Sequence, residues 1–327
     1  MIVVRITSGL GNQMYQYNFY RYLKERYPNT RVLCDLSWFK VNNDHHGYEL
    51  ERLFKHDESD FCIDKASALD VRKASGQYPP LLSGKLGKLV WFFEGPVNRI
   101  LREKFLSQRD IEYVDQLNGD ISNTDSIDEN GVRINLFYEY VNHLDESKNH
   151  YFIGFFIEER YVEGRIRSLK KELVFPKLTD EENVKLSQDI QSCEAVSIHV
   201  RRGDYLSSTY SSQFKCLGRE YYEKAVDLIK EKIPKPRFYI FSDDAEYIKE
   251  AFEWLDNKVI VDINHGDDSY KDMQLMSLCK ANIIANSTFS QWGAILNKND
   301  DAIVIYPKDY LFDEDSEIKS YKGWIRI

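Results

Sequence analysis

The stretch Ala195-Val196-Ser197-Ile198-His199-Val200 is a short apolar run that stops abruptly at Arg201-Arg202-Gly203-Asp204-Tyr205. Its length and its β-branched content read as a buried strand. Open α/β sheets bind their ligands beyond the carboxyl ends of such strands. Arginine presents a rigid fork of donors that matches phosphate oxygens, so two arginines there point to a diphosphate group. Paired arginines are ordinarily a solvated surface feature. The strand end and the glycine instead place this pair in a cleft.

The rest of the chain supports an α/β class. Ile2 to Ile6 is a β-branched run, followed by the turn Ser8-Gly9-Leu10-Gly11-Asn12-Gln13 and by apolar positions at near-helical spacing up to Pro28. Thr30 to Leu36 reads as a second strand and Tyr151 to Phe156 as another. Leu81 to Phe105 reads as helix, Asn118 to Asn130 as an acidic loop, Glu158 to Leu173 as a charged helix, and Phe175-Pro176-Lys177 as a linker. From Glu182 onward strands and helices alternate: strands at Ala195–Val200, Arg237–Asp244, Lys258–Ile263, Asn282–Ala285 and Ala302–Tyr306, with helices between. Alternation of this kind argues for parallel sheets. At 327 residues the chain fits two domains, expected at 1–175 and 176–327.

Composition narrows the partners. A net charge of -9 argues against a large nucleic-acid surface. The five cysteines form no C-x-x-C pair and read as thiols in a reducing compartment. No stretch approaches the roughly 20 apolar residues that cross a bilayer, and the N-terminus reads as a first strand and not as a signal peptide. The expected location is cytoplasmic; an acceptor carried on a lipid would bring the protein to the inner membrane face.

Three loops fall at the carboxyl ends of the later strands: Arg201-Arg202-Gly203-Asp204, Ser242-Asp243-Asp244, and Asn286-Ser287-Thr288-Phe289-Ser290. The carboxylates of the second could accept from the paired donors of a guanine. Ser287 and Thr288 read equally as helix caps or as an anion site at a helix N-terminus.

His199-Val200-Arg201-Arg202-Gly203-Asp204-Tyr205 resembles the motif of the α-1,2-fucosyltransferases, glycosyltransferase family 11. Gly9-Leu10-Gly11-Asn12-Gln13-Met14, Asp272 to Cys279, and Ala285 to Ser290 resemble its other segments in the same order. The resemblance implies a GT-B-like fold of two Rossmann-like domains facing a central cleft, with acceptor on the N-terminal side and GDP-sugar on the C-terminal side. It implies inverting transfer of L-fucose from GDP-β-L-fucose to the 2-hydroxyl of a terminal galactoside, in bacterial surface-polysaccharide synthesis, with no metal or other cofactor. By the same resemblance Arg201 and Arg202 hold the β-phosphate and Asp243 reads guanine. Ser287, Thr288 and Phe289 line the nucleotide pocket, and the loop of Gly11, Asn12 and Gln13 faces the donor. Gln291 and Ala281 depart from the family pattern, which commonly has an aromatic and a histidine there.

The general base is left open among His199, Asp204, Asp35, His45, His46 and Glu49, with His199 more readily a supporting residue. Aromatic Trp38, Phe39, Tyr48 and Trp91 could stack on an acceptor sugar or belong to the core. Rival readings are transfer of another GDP-deoxyhexose such as GDP-colitose, non-catalytic guanine-nucleotide binding, NAD-dependent oxidation, and metal-dependent transfer through Asp313-Glu314-Asp315. The glycine turn lacks the third glycine of a dinucleotide fingerprint, and no G-x-x-x-x-G-K-[ST] loop is present.

Overall fold

A computed structural model describes residues 1–42, 45–92, 111–116, 125–127, 133–206, 215–308 and 321–327. The chain divides into two units, Met1–Ile157 and Glu158–Ile327.

In the first unit β1 (Ile2–Arg5) leads through a glycine turn into α1 (Leu10–Arg26) and returns as β2 (Val32–Asp35). Then follow α2 (Leu50–Phe54), α3 (Ala68–Ser75), α4 (residues 84–92), β3 (Ile111–Asp115), the antiparallel pair β4 (Asp125–Ile127) and β5 (Arg133–Asn135), α5 (Leu136–Asn142) and β6 (Asn149–Ile153). The main sheet is parallel in the order β2-β1-β6-β3. α1 buries eleven residues and is not one-faced. Its tyrosines and phenylalanines fill the core, where the Phe19 ring stacks on Phe156 at 4.0 Å and meets Phe152 edge-on at 5.5 Å.

The second unit begins with α6 (Glu159–Glu163) and α7 (Ile166–Glu172), two helices where one was expected, parted at Gly164. It continues with α8 (Glu181–Gln191), β7 (Ala195–Val200), α9 (Arg219–Lys232), β8 (Arg237–Ser242), α10 (Ala245–Ala251), β9 (Lys258–Val261), α11 (Tyr270–Met276), β10 (Ala281–Ile283), α12 (Thr288–Ile295), β11 (Ile303–Tyr306) and β12 (Ile325–Arg326). All six strands are parallel, in the order β12-β11-β10-β7-β8-β9. From β7 the chain steps outward through β8 to β9. It then returns to β10 on the other flank of β7 and steps outward again. That reversal is the switch point at which doubly wound sheets open a crevice. β7 is buried at every residue, and its apolar side chains share one cluster with Tyr222, Val226 and Ile229 of α9 and Ile248 and Phe252 at α10.

The class is therefore α/β with two Rossmann-like units. The division lies at Ile157/Glu158 and not at 175/176. The cause is packing of α6 and α7 on later elements: Lys322 N donates to Glu163 Oε1 at 2.7 Å, and Lys170 Nζ lies 2.7 Å from Asp300 Oδ1. The Phe175–Lys177 segment is likewise held inside the second unit, where Gln274 Nε2 donates to Pro176 O at 2.9 Å. Within the expected acidic loop at Asn118 to Asn130, only Asp125–Ile127 is described, and it is a strand. The D-x-D at Asp313-Glu314-Asp315 and the second half of the 81–105 stretch lie outside the described residues.

Candidate active site of the second unit

The apolar run of β7 ends at the switch point and delivers Arg201 and Arg202 to the carboxyl edge of the sheet. Register fixes what lies beside them: Val200 pairs with Ser242, the last residue of β8, so the residues that follow the strand, Asp243 and Asp244, stand next to the arginines. Arg201 Nη1 lies 3.1 Å from Asp243 Oδ2, and the Arg202 backbone N–H donates to Asp243 Oδ1 at 3.0 Å. Arg202 Nε donates to Asp244 Oδ2 at 3.1 Å, with its guanidinium 3.8 Å above the Tyr247 ring. Asp244 also caps α10 through the Tyr247 amide. A guanidinium carries five N–H donors. With Nε of Arg202 committed to Asp244, its terminal nitrogens remain as donors for a bound anion. Both arginines are partly exposed, at 23% and 28% of their side-chain surface.

Gly203 explains the close approach of the loop to β8. A Cβ at this position would stand 3.0 Å from Asp243 Oδ2 and 3.2 Å from its carboxyl carbon. Asp204 lies in the 3-10 turn Asp204–Leu206. The β7 and β10 loops are tied across the switch point by Tyr205, whose hydroxyl donates to Asn286 O at 2.7 Å.

The β10 loop carries Ser287, the cap of α12, whose hydroxyl accepts from the Phe289 amide. Ser290 locks the turn, its hydroxyl accepting the Ala285 amide at 3.2 Å and donating to Ser287 O at 3.2 Å. Thr288 and Phe289 are half-buried at the helix start, where backbone N–H groups favour an anion. The Phe289 ring lies 5.6 Å from His199. Capping and anion binding are compatible there, because different amides serve each.

His199 is 3% exposed. Burial, reinforced by the Arg201 charge, lowers its pKa to about 3. The ring is neutral near pH 7, and it lies against Phe289 beside the site. Its Nδ1 is buried without a hydrogen-bond partner.

The N-terminal loop is positioned differently from the expectation for Gln13. Ser8 adopts φ 64°, and the turn brings Gly9 under the His45 ring, 3.2 Å from where a Cβ would stand. Gln13 is wholly buried; its Nε2 donates to Ser8 O and Gly47 O, both at 2.7 Å, and its Oε1 accepts the Glu49 amide at 3.0 Å. Its amide is consumed in holding two loops together, so Gln13 shapes the turn. Gly11 is buried in the first turn of α1, and Asn12 is half-exposed beside it.

Other first-unit candidates are also placed. Asp35 is 2% exposed and accepts from the Ser37 amide at 2.8 Å and the Tyr151 hydroxyl at 2.6 Å. With Arg5, Tyr113 and Trp91 it lines a small, partly open cavity of about 20 Å³, enough to hold a water molecule. Glu49 is buried against Arg52 at 2.7 Å. Trp38, Phe39 and Tyr48 pack on one another, with ring centroids 5.1 Å and 5.6 Å apart. Among the described residues no group of three His, Cys, Asp or Glu side chains has the geometry to hold a metal.

A further group at the carboxyl edge escaped the motif reading, although it opens the Asp272 to Cys279 segment. Asp272 Oδ1 accepts from Asn264 Nδ2 at 2.7 Å, and Asn264 exchanges hydrogen bonds with Asn183 at 2.7 Å and 3.0 Å. Burial, with Asp262 nearby, pushes the Asp272 carboxyl up to about 7. No sequence signal marks a carboxyl as desolvated, because the burying residues come from three separate elements.

Comparison with known proteins agrees with this geometry. The profile described as glycosyl transferase family 11 matches residues 128–327. The O-antigen biosynthesis glycosyltransferase WbnK of Escherichia coli is 26% identical over 333 residues, covering 98% of this chain and 99% of its own. An alpha-1,2-colitosyltransferase of Escherichia coli is 29% identical over 342 residues, covering 100% and 99%. Galactoside alpha-(1,2)-fucosyltransferase 2 of Rattus norvegicus is 29% identical over 130 residues, 39% of this chain and 36% of its own. The family profile spans more than half of the chain and takes in the β7, β8 and β10 loops, and the chain belongs to glycosyl transferase family 11.

Proposed function

We propose that this glycosyltransferase transfers L-fucose from GDP-β-L-fucose to the 2-hydroxyl of a terminal galactoside, with inversion and without a metal, in surface-polysaccharide synthesis. The observation that carries the reading is the arginine pair at the switch point, held by Asp243 and Asp244. Cleavage of the bond between the anomeric carbon and the phosphate oxygen leaves negative charge on the β-phosphate. Fixed positive donors stabilise that developing charge more than they stabilise the bound substrate, which is the requirement for catalysis. In this reading Arg201 and Arg202 stabilise the leaving group, and the start of α12 with Ser287, Thr288 and Phe289 takes the nucleotide. Asp243 and Asp244 position the arginines. Each carboxylate oxygen has two acceptor directions, so Asp243 keeps capacity for a guanine donor as well. The acceptor hydroxyl's proton is assigned to no residue.

A second reading keeps the fold and replaces fucose with colitose. It is favoured by the full-length similarity to an alpha-1,2-colitosyltransferase. The same two arginines would serve both, because the two donors share GDP and differ in the sugar. The test is GDP release from GDP-fucose and from GDP-colitose, each with a panel of β-galactosides, a chelator present and a control lacking acceptor. Acceptor-stimulated release from GDP-fucose, lost in Arg202→Ala, is the expected result. Release from GDP-colitose alone selects the second reading, and release abolished by the chelator overturns metal independence.

A further inference from the structure

Among the described residues, exposed large apolar side chains are concentrated in one place. Of the ten large hydrophobic side chains exposed among the described residues, six lie between 78 and 92: Tyr78, Leu81, Leu82, Leu86, Leu89 and Phe92. Three of them stand at intervals of three along α4, with Leu86 63%, Leu89 55% and Phe92 75% exposed. That spacing puts them on one face of the helix. Contiguous apolar surface of this kind marks a place where something binds.

The orientation of the helix is fixed by its opposite side. Gly87 is buried, and a Cβ there would stand 2.3 Å from the Leu82 carbonyl oxygen and 3.3 Å from Val41. Position 87 therefore lies on the inward side of the helix, against the Leu82 backbone and Val41, and Leu89 and Phe92 lie on the outward side. At about 100° per residue Lys85 falls between Leu89 and Phe92 around the helix and Lys88 just beside Phe92; both are exposed, and residues 84–92 contain no Asp or Glu. This basic, acid-free stretch at 84–92 stands out on a chain whose net charge is -9.

We infer that α4 lies in the plane of an anionic lipid bilayer, with Leu86, Leu89 and Phe92 in the boundary between headgroups and acyl chains and Lys85 and Lys88 on the headgroups. Large apolar residues together with lysines on one exposed helix suit an interfacial helix on anionic lipid. Lysine stems can cover apolar surface while the ammonium reaches the headgroup level. Lys85, Lys88, Glu94 and Pro96 leave no run here approaching the roughly 20 apolar residues that span a bilayer, so the proposed contact lies along the membrane surface. A second copy of this chain fits the stripe less well. In a two-fold contact the same patch faces itself, which would set one basic, acid-free patch against another, and lysine is depleted from protein–protein interfaces. The inference concerns a surface apart from the arginine site and is independent of the donor sugar.

Flotation of the full chain with vesicles tests it. Vesicles of phosphatidylethanolamine and phosphatidylglycerol are compared with vesicles of phosphatidylcholine alone. The expected result is binding to the anionic vesicles that weakens with salt and falls about tenfold or more in Leu86→Ser/Leu89→Ser/Phe92→Ser. The double variant Lys85→Glu/Lys88→Glu, which keeps the apolar stripe, loses the preference for anionic lipid. Thermal melting and turnover of a water-soluble acceptor stay at wild-type values in both variants. Failure of the wild-type chain to float with anionic vesicles overturns the inference. So does triple-variant binding equal to wild type. Self-association of the wild type that the triple variant abolishes, without vesicle binding, assigns the stripe to a second copy instead.

Discussion

The carboxylate of Asp243 accepts the backbone N–H of Arg202 at 3.0 Å. The same carboxylate holds the Arg201 guanidinium at 3.1 Å, so one residue just beyond β8 fixes both the path of the β7 loop and the direction of a charge on it. The arginines are thereby oriented before any ligand arrives, which lowers the cost of ordering them on binding. Asp243→Asn keeps an oxygen for the Arg202 amide and removes the charge that holds Arg201. Turnover is expected to fall about 10–100-fold, the usual range for a group that acts by orienting another. Steady-state kinetics check it, with kcat falling more than KM rises.

Arg202→Ala is expected to lower kcat about 10²–10³-fold, as for loss of one preorganised donor to a developing oxyanion. Arg202→Lys should recover little, because an ammonium cannot hold Asp244 and a phosphate in the fork geometry. Turnover near wild type in either variant would remove the arginine from the mechanism.

Gly203→Ala places a Cβ 3.0 Å from Asp243 Oδ2. The loop must shift by a few tenths of an ångström, and both arginines shift with it. The expected outcome is weaker GDP binding by calorimetry, with the melting temperature of the protein little changed.

Gln13→Leu leaves two carbonyls and the Glu49 amide without their buried partner. A cost of about 2–4 kcal/mol follows from orphaning such groups, read as an earlier transition in urea. Full stability with lost activity would instead make Gln13 a ligand contact.

Asp272 carries a pH signature. Its folded pKa is raised from 3.8 to about 7, so the native state holds a proton that the unfolded chain releases. The stabilising contribution of that proton is complete below pH 4 and is lost as pH rises through 7. Asp272→Asn accepts from Asn264 as before but has no charge to bury. Wild type should therefore lose stability relative to the variant between pH 4 and pH 7, measured as melting temperature against pH. A parallel pair of curves would overturn the assignment.

Much of the architecture was legible in the residues. Strand β7, the glycine turn into α1, the caps at Ser287 and the alternation through the second half are local features, set by periodicity and turn chemistry within a few positions. The family resemblance rested on those same local segments. Where local signals were weak the reading failed. Glu158–Leu173 lacks a marked stop except Gly164, and it proved to be two helices that pack with the second unit. For Gln13, expected at the donor by its motif, only the fold shows that its amide bonds to Ser8, Gly47 and Glu49.

The sequence by itself determined that two arginines and a glycine end a buried strand, and that two acids end another strand some forty residues later. Only the tertiary structure decided that these strands are neighbours, that β10 lies on the other flank of β7, and that Asp243 and Asp244 hold Arg201 and Arg202. The physical reason is range. Backbone preference and side-chain period act over a few residues, whereas strand order, desolvation and charge pairing depend on which distant segments the whole core brings together.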